Sequence, residues 1–307
     1  MKETGIGYNR ERASTLMLLF CVTLSVVFAE EIADAARVGL RLCASSIIPA
    51  VFPFMVLSDL IVAYSPLEKS GFLRRSFERL FGISGAGITA FISGIICGFP
   101  LGVKSTVDLC REGHITKEEA ERLIGFSNNT GPAFIIAGIG ASMRGSLRDG
   151  IVLYAVLVLS AVLVGILFRK SGKKAAYVEI KRKNRFDLIQ SVQNAGENTL
   201  NICSFIIFFS VIVGIVSSVL KSTPLLAVIL PFLEVGNAAS FLAEARIDRA
   251  LSLALTAFAT AFSGLSVHLQ ALSLLSGSGI SRRKYFVMKL LQGLFAMTFI
   301  IIFENIF

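Results

Sequence analysis

A lysine follows a long uncharged stretch of this sequence. The segment GFPLGVK, residues 98–104, comes directly after residues 85–97, which contain no charged side chain. Glycine and proline interrupt helices and would leave backbone amides free to contact a ligand. Because a charge at membrane depth costs about 2.5 kcal/mol or more, a buried Lys104 would need an anionic partner. The alternative is a kinked helix whose lysine reaches the membrane surface. The residues predicted to bind ligand here are Gly98, Pro100, Gly102 and Lys104.

The motif NNTGP, residues 128–132, stands before the short apolar segment 133–139. Proline is favoured at the first position of a helix, so Pro132 predicts a helix start. Because a full span needs roughly 20 residues, this segment would be an internal half-helix. Its N-terminus would offer amides and backbone N–H groups to an anion or a polar ring. The alternative is a solvent-exposed turn. The predicted ligand-binding residues here are Asn128, Asn129, Thr130 and Gly131.

Two polar motifs in the second half of the sequence add further candidates. One is PFLEVGNAASF, residues 231–241, and the other is SGLSVHLQ, residues 263–270. Glu234 is either an interfacial residue or a site carboxylate that pairs with Lys104, binds a substrate donor, or takes a coupling proton or cation. His268 is either a buried core group or a working group, since histidine can change charge near pH 7. The candidates from these motifs are Glu234, Asn237, Ser266 and His268.

The sequence contains no motif of an enzyme or a metal site. It lacks a nucleophile–base pair, a metal-ligand spacing and a phosphate loop, and its five cysteines form no CxxC pair. Thr116 and Glu119 form a capping box that predicts a short helix, and Glu118, Glu119 and Glu121 are predicted to form its solvated face. We therefore expect no catalytic residue, no metal, no cofactor and no enzymatic activity.

The composition is that of a membrane protein. Hydrophobic residues make up 54% of the 307 residues and charged residues 17%, and the mean hydropathy is +0.73, which is more apolar than a soluble domain. Apolar runs along the whole chain predict an all-α, polytopic fold with re-entrant or broken helices. The basic segment 169–185 is predicted to lie in the cytoplasm. It would contact lipid head groups, and no zinc or aromatic-interleaved motif indicates nucleic acid.

The second half of the sequence resembles the first. One alignment superposes Cys43 on Cys203, and another superposes residues 98–120 on 262–286, which places His268 opposite Lys104. Repeated halves with interrupted apolar segments indicate a secondary transporter with its site between the halves. The predicted division is an N-terminal transmembrane segment at 1–30, a first repeat at 31–170, a cytoplasmic loop at 171–186 and a second repeat at 187–307. The run 16–29 also has the form of a cleavable signal, although an uncleaved span is favoured.

The segment SGIICGFPLGVKSTVDLCREGHITKEEAERLIGFSNNTGPAFIIAGIGASM, with FLEVGN and SGLSVHLQ, resembles sporulation integral membrane proteins of the YlbJ type, which carry a nucleoside-recognition or Gate domain. This resemblance implies a hairpin architecture similar to that of concentrative nucleoside transporters. It also implies delivery of dipicolinic acid to the developing spore across the outer forespore membrane. The residues that fall on the family's motif positions are Gly98, Pro100, Gly102, Lys104, Asn128, Asn129, Gly131, Pro132, Glu234 and Asn237.

We therefore expect a multi-pass carrier in a bacterial cell membrane that binds a small anionic or aromatic metabolite between broken helices. Dipicolinate, a flat ring with two carboxylates, would suit Lys104 and a half-helix N-terminus. The alternatives are a nucleoside or other organic-anion carrier, and a non-transporting scaffold for spore-envelope assembly. Membrane lipids are expected partners, while the coupling ion, H⁺ or Na⁺, and a homo-oligomer are left open. Replacing Lys104 by alanine is expected to abolish uptake without loss of membrane insertion.

Overall fold

The computed structural model describes residues 26–49, 51–53, 55–56, 70–170 and 187–306, together with Thr15, Leu19, Val22 and Thr23. Most of the predicted N-terminal segment 1–30 and all of the predicted cytoplasmic loop 171–186 lie outside the described residues. All regular structure in the described ranges is helical, and this confirms the predicted all-α class.

The described helices of the first half are mostly short. Helix α1 continues into a π-helical turn at Cys43–Ile47, and α6 is π-helical throughout. The helices are α1 (Ala29–Leu42), α2 (Gly71–Phe81), α3 (Gly87–Ile96), α4 (Leu101–Arg111), α5 (Lys117–Ser127), α6 (Ala133–Met143) and α7 (Leu147–Leu167).

The second half has longer helices. Asp187 and Asp248 accept hydrogen bonds from the first backbone N–H groups of α8 and α11, as good N-caps do. The helices are α8 (Leu188–Leu220), α9 (Thr223–Leu233), α10 (Val235–Glu244), α11 (Arg249–Phe262), α12 (Gly264–Leu275) and α13 (Arg283–Ile306).

Four helical segments in the described part of the chain are long and apolar enough to cross a membrane. They are α7, α8, α13 and the segment Arg249–Leu275, which α11 and α12 form together around Ser263. Helices α3, α6 and α9 are apolar but have only 10, 11 and 11 residues. Because a full span needs roughly 20 residues, these three are half-helices.

The two halves share one order of elements. In the first half, α3 and α4 flank a break at residues 97–100, α5 and α6 flank a break at 128–132, and α7 follows. In the second half, α9 and α10 flank Glu234, α11 and α12 flank Ser263, and α13 follows. The alignment of residues 98–120 with 262–286 therefore pairs non-equivalent breaks, and it is wrong. Glycine-rich breaks between apolar runs resemble one another in sequence, which explains the error.

The predicted capping box is confirmed, but one of its acids is not solvated. Thr116 accepts from the backbone N–H of Glu119, and the Glu119 carboxylate accepts from the backbone N–H of Thr116 at 2.8 Å. The other carboxylate oxygen of Glu119 accepts from the Ser84 N–H at 2.6 Å, and the residue is buried. Glu119 was therefore wrongly predicted to be exposed, because this bond to the turn before α3 is a tertiary contact.

Helix α13 is central to the packing. It lies against α11, α7 and α5, while α1 packs along α8. Tyr285 and Met288 of α13 enter the same apolar cluster as Phe126 of α5. As a result, the last helix of the second half is buried against the end of α5, where the second break of the first half begins.

Candidate functional site

A cleft of about 520 Å³, a volume that includes space open to solvent, lies where the breaks of the two halves meet. Its walls are mainly apolar, and the predicted site residues that line it are Gly131, Glu234 and Ser266. The remaining lining residues are Val51, Met55, Cys97, Phe99, Ala133, Phe134, Ile202, Ile206, Val235, Val267 and Gln270. A concave apolar site with a few polar groups is the usual form of a small-molecule site.

The first break packs tightly onto the second. Gly98 has φ +79°, and a Cβ there would lie 2.6 Å from the backbone nitrogen of Gly131. A Cβ on Gly94 or Gly102 would collide with the carbonyl oxygen of Ser127. These glycines therefore allow backbone segments to touch, and the cleft itself is lined by the neighbouring Cys97 and Phe99. Pro100 is buried next to them, after a cis peptide bond.

Lys104 does not lie at the cleft. Its side chain is exposed on α4, and it forms none of the ion pairs found among the described residues. The prediction placed it in the cleft because it follows the break. One helical turn separates Pro100 from Lys104, and that turn points the lysine outward. The pairing of Lys104 with Glu234, one of the alternatives considered for this carboxylate, is therefore not present.

Glu234 holds the start of α10. Its carboxylate accepts from the backbone N–H of Gly236 at 2.8 Å and of Asn237 at 2.6 Å, and from the Asn237 side-chain amide at 2.9 Å. Asn237 is also hydrogen-bonded to Ser210 of α8. Glu234 is 1% exposed. A carboxylate at this end of a helix also offsets its positive partial charge. Asn237 therefore supports Glu234 from behind the cleft.

The polar side chains of the NNTGP motif bind the second half of the chain. Asn128 donates to the Tyr285 hydroxyl at 2.8 Å, Asn129 accepts from Gln292 at 2.8 Å, and Thr130 donates to the Thr260 carbonyl at 2.7 Å. Asn128, Asn129 and Thr130 are all fully buried. Their side chains thus join the two halves, and the motif meets the cleft through Gly131.

Lys289 was not among the site residues predicted from the sequence. It is fully buried, and its Nζ donates to the Asn128 carbonyl and to Gln292 Oε1, each at 2.8 Å. The spacing of Tyr285, Lys289 and Gln292 could have indicated it, because residues four and three positions apart share one face of a helix. A lysine near the start of an apolar helix, however, usually reaches the membrane surface.

Some buried polar atoms in this region have no hydrogen-bond partner among the described residues. Gln270 Oε1 is one of them, and Gln270 lines the cleft, so this oxygen can accept a hydrogen bond from a ligand. His268 does not line the cleft, and its Nδ1 lies 3.0 Å from the Tyr285 hydroxyl. Either atom of this pair can be the donor, depending on the His268 tautomer. The other ring nitrogen, Nε2, has no partner among the described groups.

The cleft also receives the starts of two other helices. Gly131 and Ala133 precede and begin α6, and Ser266 lies in the first turn of α12. Helix N-termini carry partial positive charge. No group of three or more acidic, histidine or cysteine side chains in the described part of the chain could hold a metal ion. The apolar walls of the cleft, with the polar groups of Glu234, Ser266 and Gln270, suit a small organic molecule with polar edges.

The fold and the cleft define a class: an all-α, polytopic integral membrane protein with broken helices around a ligand-sized cleft. No family model matches the chain. Over 96% of its length, the chain is 25% identical to the Sporulation integral membrane protein YlbJ of Bacillus subtilis (strain 168), and the match covers 84% of that protein. The chain is therefore similar, along nearly its whole length, to a sporulation integral membrane protein of the YlbJ type.

Proposed function

We propose that this protein is a secondary transporter of a small organic anion, and that its substrate is dipicolinic acid delivered across the outer forespore membrane. The observation that carries the proposal is the cleft, because breaks from both halves line it. Half-helices that meet at one site are typical of carriers in which one half moves against the other. The family's role in sporulation supports the choice of substrate.

The apolar walls of the cleft and the helix N-termini at its edge suit a flat ring with two carboxylates. Phe99 and Phe134 provide apolar surface for a ring. The N-termini of α6 and α12 would each face one carboxylate, where backbone N–H groups favour negative charge. The substrate would pass unchanged, so the protein would act as a carrier and not as an enzyme.

A neutral polar substrate such as a nucleoside is the second candidate. Two observations favour it: Gln270 Oε1 is an acceptor without a partner among the described groups, and none of the described lining residues is a lysine, an arginine or a histidine. A nucleoside carries N–H and O–H donors that could satisfy this oxygen. Dipicolinate offers no donor unless it is protonated.

Flux into liposomes tests the proposal and separates the candidates. The full chain would be reconstituted, and uptake of labelled dipicolinate and labelled uridine would be measured in parallel, with and without pH and sodium gradients. We expect dipicolinate flux that excess unlabelled dipicolinate inhibits. Uridine flux without dipicolinate flux would select the nucleoside carrier. Flux of neither compound would refute a carrier for these substrates and favour a membrane scaffold.

A further inference from the structure

A buried lysine at the contact between the two halves forms no ion pair with an acidic side chain among the residues that the structure describes. Lys289 is fully buried, yet within the described ranges it forms no ion pair. Its two bonds go to a carbonyl and to an amide oxygen, both uncharged. A buried charge without a counter-charge is costly, so this environment disfavours the ammonium form.

The ionisable groups on the surrounding helices are engaged elsewhere. On α5, Glu121 pairs with Lys284, Glu119 caps the helix, Glu118 is exposed, and Arg122 donates to the carbonyls of Phe81 and Gly82. On α7, Asp149 pairs with Arg144 and with Arg249 of α11, and Tyr154 donates to the Ile95 carbonyl. The ionisable groups linked to Lys289 are Tyr285 and His268, which reach it through Asn128.

The number of acceptors around Lys289 matches a neutral amine. An ammonium group has three N–H donors, whereas a neutral amine has two. The described surroundings provide two acceptors, Asn128 O and Gln292 Oε1. An ammonium would leave one donor unpaired inside the protein, and such a group costs about 1–3 kcal/mol or more. The two hydrogen bonds described for Nζ therefore match a neutral amine better than an ammonium group.

We propose that Lys289 is the proton-binding site that couples transport to a pH gradient. The inference rests on the proposed carrier function. When the two halves move relative to each other, the contact between Nζ and Asn128 O opens, water reaches the amine, and its lone pair takes one proton to form the ammonium. Return to the present conformation requires that proton to leave, and coupling requires that it leave to the side of the membrane opposite to its uptake. One proton would thus cross the membrane in each cycle.

Lys289 could instead serve only as a cap for the carbonyl end of α5, where a cation is also favoured. The experiment must therefore separate coupling from stability. Three variants of the full chain serve this purpose: Lys289→Gln, which cannot be protonated; Lys289→Arg, which stays charged; and Lys284→Gln, a control on the same helix whose lysine is 44% exposed. Each would be reconstituted, and labelled dipicolinate would be followed in exchange without a gradient and in accumulation driven by a pH gradient.

We expect the wild type and Lys284→Gln to accumulate dipicolinate when the gradient is applied. Lys289→Gln should keep exchange, which also shows that it is folded, and should lose gradient-driven accumulation. Lys289→Arg, which cannot release a proton, should lose both exchange and accumulation. Accumulation by both Lys289 variants at the wild-type level would overturn the inference, as would loss of exchange in Lys289→Gln. If the wild type exchanges dipicolinate but the pH gradient drives no accumulation, the inference is wrong while the proposed transport function stands. Absence of all flux in the wild type would overturn the proposed function and this inference together.

Discussion

Replacing Glu234 by alanine tests how the cleft is held together. The substitution removes the acceptor for the backbone N–H groups of Gly236 and Asn237. The Asn237 side-chain amide loses one acceptor but keeps Ser210. Two buried donors are therefore left unpaired, and α10 begins without its cap.

The expected cost follows from these two donors. Loss of an N-cap costs about 0.5–2 kcal/mol, and each buried donor left unpaired costs about 1–3 kcal/mol. Because Glu234 is 1% exposed, water replaces the carboxylate poorly. Removal of a buried carboxylate also relieves some desolvation, so we expect a net loss of about 3 kcal/mol in the free energy of unfolding. Glu234→Gln keeps one acceptor oxygen and should lose about half as much.

Denaturant unfolding of the purified full chain in detergent, followed by its helical circular dichroism, measures the difference. Glu244→Ala is the matched control, since Glu244 is exposed at the far end of the same helix. The control should unfold like the wild type. If Glu234→Ala unfolds at the same denaturant concentration as Glu244→Ala, Glu234 does not hold α10, and the geometry assigned to this side of the cleft is wrong.

Three further substitutions test the site. Gly102→Ala should destabilise the protein by about 1–3 kcal/mol, because the added Cβ meets the Ser127 carbonyl oxygen. The control Gly196→Ala should not, since its Cβ faces open space. Equal unfolding of the two variants would contradict the close approach of Gly102 to Ser127. Lys104→Ala should leave dipicolinate flux near the wild-type level, since Lys104 is exposed; loss of flux with normal membrane insertion would return Lys104 to the site. Gln270→Ala should weaken ligand binding by about 2- to 10-fold, the value of one hydrogen bond, in a ligand-dependent melting shift; unchanged binding would exclude that contact.

The sequence was sufficient to predict the helix breaks. Segments 85–97 and 133–139 are too short to cross a membrane, and Gly98, Pro100 and Pro132 mark where helices must stop or start. These are local constraints on backbone geometry, and the structure has breaks at both places. The location of a ligand cleft at the breaks followed from the same constraints, and Gly131, Glu234 and Ser266 line it.

The sequence was not sufficient to assign the side chains around those breaks. Lys104 and Lys289 both stand in or next to apolar stretches, and only the packing of α13 against α5, α7 and α11 decides which of them is buried. The same limit applies to Asn128 and Asn129. Their residue types predicted hydrogen bonding, but the partners Tyr285 and Gln292 lie more than 150 positions away. Partners so distant in sequence are set by topology and not by local pattern.

The four breaks differ in how their polar groups are satisfied, and this difference suggests which parts move. Glu234 caps α10 with bonds to its own first turn and to the Asn237 side chain, so that break can move as one body with α10. The break at 128–132, in contrast, depends on bonds from the other half, including the one from Lys289. A motion that opened the cleft between the halves would have to exchange those bonds for water. A change in the conformation of the NNTGP segment would thus accompany a change in the protonation of Lys289.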